Sequence, residues 1–129
     1  MTDIYDLIGV PFQYNGRDCK KALDCYGLVK EIHRRQGIEL PDYFTPNEEA
    51  PTIAAMMATG KILWRRTEKK PGAVMLMRLG IHFWHVAYYL GDDEFIHTSI
   101  KTGGVCIERL HVWEKRIEGY YEYAGTPQY

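Results

Sequence analysis

The chemistry of this sequence centres on one cysteine, Cys25, at the start of an expected helix. A cysteine attacks as its thiolate, and a free thiol with a pKa near ~8.5 is mostly protonated at neutral pH. Asp24 is a suitable N-cap, so Cys25 takes the first helical position, where unpaired backbone N–H groups stabilise an anion. The charge of Asp24 opposes the thiolate, so a histidine base is still needed. Because Cys25 also lies on the apolar helix face, an inert, packed thiol is the alternative.

Two of the five histidines, His85 and His97, flank a turn at residues 91–93. A base and its orienting partner must point into one space, and side chains alternate faces along a strand. A two-residue turn would place His97 opposite Tyr88, away from His85. We therefore predict an odd loop of three or five residues; a bulge would have the same effect. The other histidines are predicted to be surface or hydrogen-bonded structural groups: His33, His82 and His111.

A metal site is the alternative to the cysteine–histidine hypothesis. Zinc ligands usually come in closely spaced pairs, and neither Cys25, His85 nor His97 has such a partner. We predict no metal and no cofactor. Of the remaining cysteines, Cys19 is predicted to be exposed and Cys106 to be structural, and their irregular spacing does not indicate a disulfide framework.

The elements that must position these residues change character along the chain. Apolar residues at helical spacing predict a helix over 24–37, and a second helix is expected over 51–62. Short strand-like runs separated by turn residues follow, over 73–77, 85–90, 94–98, 105–110 and 119–123. Helices first and strands after predict an α+β fold, with N-terminal helices packed on an antiparallel sheet.

Composition narrows the class of protein. A chain of 129 residues with 46% hydrophobic content is long enough for one core, so residues 1–129 are expected to form a single domain. The 16 basic and 17 acidic residues give a net charge of -1, which makes nucleic acid an unsuitable partner. Neither a secretory signal nor an apolar run of roughly 20 residues is found, so we expect synthesis in the cytoplasm and no membrane span.

Three motifs, in order, resemble the NlpC-type cell-wall endopeptidases, a branch of the papain-like cysteine peptidases. Residues 24–29, Asp-Cys-Tyr-Gly-Leu-Val, resemble that family's Asp-Cys-Ser-Gly-Leu-Val motif, and residues 85–91 resemble its His-Val-Gly-Ile-Tyr-Leu-Gly strand. Residues 95–98, Phe-Ile-His-Thr, are similar to the Phe-Ile-His-Ala that follows. Segments 11–16 and 71–74 match further family patterns, so the resemblance spans nearly the whole chain.

The resemblance implies roles for individual residues. Cys25 would be the nucleophile, His85 its base and His97 the group that orients the base. Tyr14 would help to hold the oxyanion and Asp24 would face the bound peptide. Tyr26 stands where the family has a serine, so that serine's contact with substrate is lost or taken over by Tyr26. The implied partner is the peptidoglycan stem peptide, cut between D-glutamate and diaminopimelate or lysine.

The tyrosine after the cysteine and the segment 104–110 are similar to family members found in bacteriophage and prophage tails. This predicts a tail-associated enzyme, with tail-tip proteins as partners, that acts on the bacterial cell wall. Two alternatives stay open at this point. One is a non-catalytic tail component or stem-peptide-binding module of the same fold. The other is an acyltransferase of the permuted branch, although there the histidine precedes the cysteine.

Overall fold

The computed structural model describes residues 3–41, 64–78 and 84–125, and these ranges contain three helical elements and eight strands. The helical elements are a 3-10 turn, the α-helix α1 and a second 3-10 helix: Tyr5–Leu7, Cys25–Arg35 and Leu110–Arg116. The strands β1 to β8 are Arg17–Asp18, Ala22–Leu23, Trp64–Thr67, Val74–Arg78, Trp84–Gly91, Glu94–His97, Cys106–Arg109 and Ile117–Tyr123.

Six of the strands form one antiparallel sheet in the order β3-β8-β4-β5-β6-β7, and β1 and β2 form a separate short hairpin. The predicted α+β class with an antiparallel sheet is confirmed. The prediction missed the short strands β1 and β2, strand β3 and both 3-10 elements. The expected helix over 51–62 lies outside the described residues. Within the ranges described, no helix is long and apolar enough to cross a membrane.

Helix α1 begins and ends where the sequence predicts, because both ends are capped. The Asp24 side chain accepts a hydrogen bond from the Gly27 N–H at 2.7 Å, which satisfies one of the unpaired amides of the first turn. At the other end Gly37 has φ +84°, and the Ile38 N–H reaches back to the His33 carbonyl at 2.9 Å. These caps fix the position of Cys25 at the start of the helix.

The core lies on both faces of the sheet, because alternate residues of β4 and β5 point in opposite directions. One face packs against α1, and its cluster includes Val74, Leu76 and Val86. The opposite face packs beside the second 3-10 helix, and its members are Met75, Met77, Ala87, Tyr89, Phe95 and Leu110. A sheet buried on both faces gives β5 and β6 a fixed position, which the site between them requires.

Candidate active site

The cysteine–histidine site forms where helix α1 meets strand β5. Cys25 is partly exposed at the first position of α1 and packs against a cluster that contains Tyr26 and Val86. The backbone N–H groups of Val86 and Tyr26 donate towards the Cys25 sulfur and favour its thiolate. The contact with Val86 places the sulfur beside the residue that follows His85 in β5.

Val86 can donate to Cys25 because its N–H faces away from strand β4. The Tyr89 N–H bonds to the Ala73 carbonyl at 2.9 Å, so Tyr89 points its amide at the β4 side. Amide direction alternates along a strand, so Val86 points its N–H to the β6 side. The pairing of β5 with β6 ends at Tyr88 and Ile96, before Val86 is reached. Cys25 occupies the space where these two strands separate.

His85 and His97 meet on one face of the sheet, as predicted, but the loop between their strands is not odd. The turn contains only Asp92 and Asp93, both with positive φ (52° and 64°), as a type I′ hairpin turn requires. Parity is restored by a bulge in β5, where Leu90 is the extra residue between the pairs Tyr89–Phe95 and Gly91–Glu94. The predicted odd loop is therefore wrong, and the bulge has its effect.

The two histidine rings form a chain of hydrogen bonds that continues to a glutamate. His85 Nε2 and His97 Nδ1 are 2.9 Å apart, and both side chains are buried. His97 Nε2 is hydrogen-bonded in turn to Glu108 Oε2. Sequence reasoning missed Glu108; the only signal was its position two residues after Cys106 in a strand, on the same face.

Without substrate, the site favours the uncharged forms of the Cys25 thiol and the His85 imidazole. Burial, followed by the charge of Asp24, raises the pKa of the Cys25 thiol to about 12. Burial, followed by the neighbouring His97, lowers the pKa of His85 to about 3. Among the described residues no hydrogen bond joins Cys25 to His85, and in ligand-free sites such catalytic bonds are often long. The site therefore holds a neutral thiol and a neutral imidazole before substrate binds.

Asp24 is held inside the protein. It is 5% exposed and accepts hydrogen bonds from the Gly27 N–H at 2.7 Å, the Asn15 N–H at 2.8 Å and Arg17 Nη1 at 2.7 Å. The bond from Asn15 ties the preceding loop to the start of α1, and this loop carries Tyr14. Tyr14 is half-buried there. The structure thus brings the segment that carries Tyr14 to the start of α1.

Tyr26 was predicted to contact substrate, but the structure buries its side chain. Its side chain is 1% exposed, its hydroxyl donates to the Pro41 carbonyl at 2.5 Å, and the Arg17 guanidinium lies 5.6 Å from its ring centre. A side chain so enclosed offers no surface to a bound peptide. The structure places Tyr26 in the core beneath the site, where it supports the first turn of α1.

The remaining histidines and cysteines are structural, with one correction. His33 is buried and bonds to the Val29 carbonyl at 2.8 Å, and His111 is paired with Asp93 at the surface. Cys19 was predicted to be exposed, but it is half-buried against the apolar cluster beneath α1. His82 lies outside the described residues.

One group of side chains in the described ranges has donor atoms close enough to share a metal ion. It consists of His97, Cys106 and Glu108, whose atoms lie within 4.8 Å of one another. Hydrogen bonds already join these atoms, since Glu108 Oε2 accepts from both His97 and the Cys106 thiol, the latter at 4.0 Å. We assign no metal ligand here. The cavity beside this group measures about 400 Å³ and is also lined by Lys101, Trp113 and Arg116.

The fold and this site define a class, a papain-like α+β domain with its cysteine at a helix start and its histidines on the sheet. The family model described as "NlpC/P60 family" matches residues 9–122, and the chain belongs to that family.

Similar proteins agree with this assignment. The chain is 32% identical over 119 residues to the Murein DD-endopeptidase MepS/Murein LD-carboxypeptidase of Escherichia coli K12, covering 90% of this chain and 57% of that protein. Two solved structures show the same fold. They are the P60 domain of an M. avium subspecies paratuberculosis antigen (TM-score 0.65, 16% identity, 95% and 90% of the two chains) and the peptidoglycan hydrolase RipB of Mycobacterium tuberculosis (TM-score 0.61, 19% identity, 91% and 58%).

Proposed function

We propose that this chain is a cysteine peptidase that hydrolyses a peptide bond in peptidoglycan stem peptides, with Cys25 as nucleophile and His85 as base. The observation that carries the proposal is the 2.9 Å bond between His85 Nε2 and His97 Nδ1. That bond leaves His85 Nδ1 as the ring nitrogen for the thiol, beside a cysteine that contacts the same strand through Val86. This is the nucleophile, base and orienting group of a triad.

The reaction starts from a neutral pair. The Cys25 proton passes to His85 Nδ1 as the sulfur attacks the substrate carbonyl carbon, and the tetrahedral intermediate carries the negative charge on its oxygen. The intermediate collapses when His85 returns the proton to the leaving amine, and a thioester on Cys25 remains. His85 then takes a proton from water, and the resulting hydroxide attacks the thioester carbon. The C–S bond breaks, His85 returns the proton to the Cys25 sulfur, and the acyl group leaves with a free carboxyl group.

The start of α1 supplies a donor for the oxyanion. Of the first four helix amides, Gly27 donates to the Asp24 side chain, Leu28 to the Asp24 carbonyl at 2.9 Å, and Tyr26 towards the sulfur. The N–H of Cys25 itself has no partner within the described residues. A backbone amide at this place, at the positive end of the helix dipole, suits the developing oxyanion. We propose Tyr14 as the second donor.

The substrate class rests on the relatives. MepS is named a murein endopeptidase and carboxypeptidase, but this chain spans only 57% of its length. We propose the bond between D-glutamate and diaminopimelate or lysine as the one that is cut, with the D,D cross-link as the competing bond.

The test is incubation with purified sacculi under reducing conditions, followed by mass analysis of the released fragments. The wild type is compared with Cys25→Ala and His85→Ala, and with Cys19→Ala as a matched control outside the site. Release by wild type and control but by neither site variant supports the peptidase, and the fragment masses name the bond. No release by wild type from several wall types would favour the non-catalytic binding module.

We further propose that the protein is carried by a bacteriophage or prophage tail. Support comes from the resemblance of residues 25–26 and 104–110 to tail-associated members. Proteomic analysis of purified tail particles from an induced host is the test. Recovery of the chain with tail proteins supports the proposal, and its recovery in the cell-envelope fraction without particles contradicts it.

A further inference from the structure

The hydrogen-bonded chain that supports His85 does not end at His97. In the pairing of β6 with β7, His97 lies opposite Cys106 and Phe95 lies opposite Glu108. Cys106 and Glu108 are two residues apart, so they share the sheet face of His97. This register brings the Glu108 carboxylate to the His97 ring nitrogen that points away from His85.

A carboxylate can only accept hydrogen bonds, and this fixes which ring nitrogen carries the proton in both His97 and His85. His97 must carry its proton on Nε2 to donate to Glu108, and in a neutral ring Nδ1 is then a bare acceptor. His85 must therefore carry its proton on Nε2 to donate to that acceptor. Its Nδ1 is left bare, and a bare nitrogen is what a thiol proton requires.

We propose that Glu108 is a positioning residue that sets the tautomers of His97 and His85 and so presents His85 Nδ1 to Cys25 as a base. The inference rests on the proposed peptidase function and adds a fourth member behind the cysteine and its two histidines. Glu108 also places a negative charge near the imidazolium that forms on His85 during attack, which stabilises that state.

Neighbouring groups hold the carboxylate in place. The Trp113 indole N–H donates to Glu108 Oε1 at 3.3 Å, while Oε2 receives His97 and the Cys106 thiol. The His97 ring itself packs against Phe95, with ring centres 4.8 Å apart, and its edge faces Trp113 at 6.1 Å. Both ends of the contact are thus fixed by packing and by hydrogen bonds.

The electrostatic surroundings of this hydrogen-bond network are consistent with neutral rings at His85 and His97. Burial lowers the pKa of His97 despite the opposing effect of Glu108, and it lowers the pKa of His85 further. At the other end, Asp24 and Arg17 act on Cys25. A neutral His97 has one ring proton, so its position is decided by the stronger acceptor, which is the Glu108 carboxylate.

Tautomers can be observed directly by long-range 1H–15N NMR of protein labelled at the histidine ring nitrogens. In the wild type at pH 7 we expect the protons of His85 and His97 on Nε2 in both rings. In Glu108→Leu, where the acceptor is gone, we expect mixed tautomers at His97 and His85. A wild-type spectrum with the His97 proton on Nδ1 would overturn the proposal without any substrate being involved.

The reactivity of Cys25 supplies the second test. Trypsin separates the three thiols, because residues 22–30 form a peptide that contains only Cys25. The rate of iodoacetamide labelling of that peptide is measured from pH 5 to 10 for the wild type, Glu108→Gln, Glu108→Leu and the control Glu94→Gln. Glu94 is half-buried on the neighbouring strand, with its side chain on the opposite sheet face from His97.

We expect Glu108→Leu to slow labelling at pH 7 and to lower kcat on sacculi by about 10- to 100-fold with little change in KM, a range typical of supporting residues. Glu108→Gln should recover part of the loss, since its carbonyl oxygen still accepts from His97. Values for both variants within twofold of the wild type would contradict the proposal. The proposal would also be contradicted if both variants lost the same activity and that loss matched the fraction of each variant that is unfolded, as measured by urea unfolding.

The outcomes also separate this inference from the proposed function. If the wild type releases nothing from sacculi but shows the predicted tautomers and labelling order, the substrate assignment is wrong and the role of Glu108 stands. If Glu108→Leu releases fragments from sacculi at the wild-type rate, the proposed role of Glu108 is wrong and the peptidase function stands. If Glu108→Leu does not fold, Glu108→Gln and the wild-type NMR spectrum carry the test.

Discussion

Replacing Asp24 with asparagine is expected to destabilise the protein and, at the same time, to make the Cys25 thiol more acidic. The carboxylate accepts three hydrogen bonds, from Gly27, Asn15 and Arg17. In the variant the Oδ1 acceptor remains for Gly27, but the new amide nitrogen cannot accept from the Asn15 N–H. The bond from Arg17 loses its charge–charge component.

The magnitude follows from these contacts. A hydrogen bond to a charged group contributes about 1.5–3 kcal/mol and a neutral one about 1 kcal/mol. Losing one charged bond and weakening another should lower the free energy of unfolding of Asp24→Asn by about 2–3 kcal/mol. Asp24→Ala also removes the N-cap, worth about 1 kcal/mol, and should lose about 3–4 kcal/mol. Urea unfolding followed by tryptophan fluorescence should show midpoint shifts of roughly 1–2 M.

The effect on Cys25 has the opposite sign. After burial, the negative charge of Asp24 is the largest cause of the raised Cys25 pKa, so removing it lowers that pKa. Iodoacetamide labelling of Cys25 at pH 8 should therefore be faster in folded Asp24→Asn than in the wild type. Asp92→Asn, at the far end of β5 in a conformation that asparagine tolerates, is the control. Slower labelling in folded Asp24→Asn, or an unchanged urea midpoint, would refute the reasoning.

Three further predictions concern stability. A methyl group on Gly27 would lie 2.1 Å from the Gly16 carbonyl oxygen, so Gly27→Ala should cost about 1–3 kcal/mol and slow Cys25 labelling. An unchanged rate of Cys25 labelling together with a lower urea midpoint would show that the loop at Gly16 does not need its contact with Gly27 to position Cys25. Tyr26→Phe should lose about 1 kcal/mol with the bond to Pro41 and keep its activity; lost turnover in the folded variant would return Tyr26 to the substrate site. Two arginines of α1 lower the pKa of Glu31 below its usual 4.5, so its stabilisation is complete above pH 4.5 and is lost as the pH falls through the lower, folded value. Glu31→Gln should therefore lower the urea midpoint most at pH 7 and progressively less as the pH is reduced below 4.5, and a difference that does not shrink over that range would contradict this.

Much of the fold could be predicted because capping and periodicity are local. Helix α1 has its Asp24 cap and its glycine stop in the sequence, and five strands carry recognisable apolar runs. Strand β3 was missed because Arg65 and Arg66 are two successive exposed residues in a four-residue edge strand, which removes the alternation that marks a strand. Its position depends on pairing with β8, at the other end of the chain.

The site was predictable only as far as its spacing allowed. Residue type and position made Cys25, His85 and His97 candidates, and the resemblance to the family motifs supplied their roles. Glu108 could not be found in this way, because its contact with His97 depends on the register of β6 against β7 across an eight-residue connection. Tyr26 was placed in the cleft by analogy with a serine, whereas its ring is long enough to fill the core and reach Pro41.

The Leu90 bulge turns the length of one hairpin into a condition for activity. The turn residues, Asp92 and Asp93, contact neither His85 nor His97, so the turn can vary among residues that tolerate positive φ. Removing or adding a single residue there would exchange the two faces of β6 and carry His97 to the helix side of the sheet. Insertions and deletions in this hairpin are therefore compatible with the proposed base only in steps of two, a constraint on length that adds to the one that positive φ places on the turn residues.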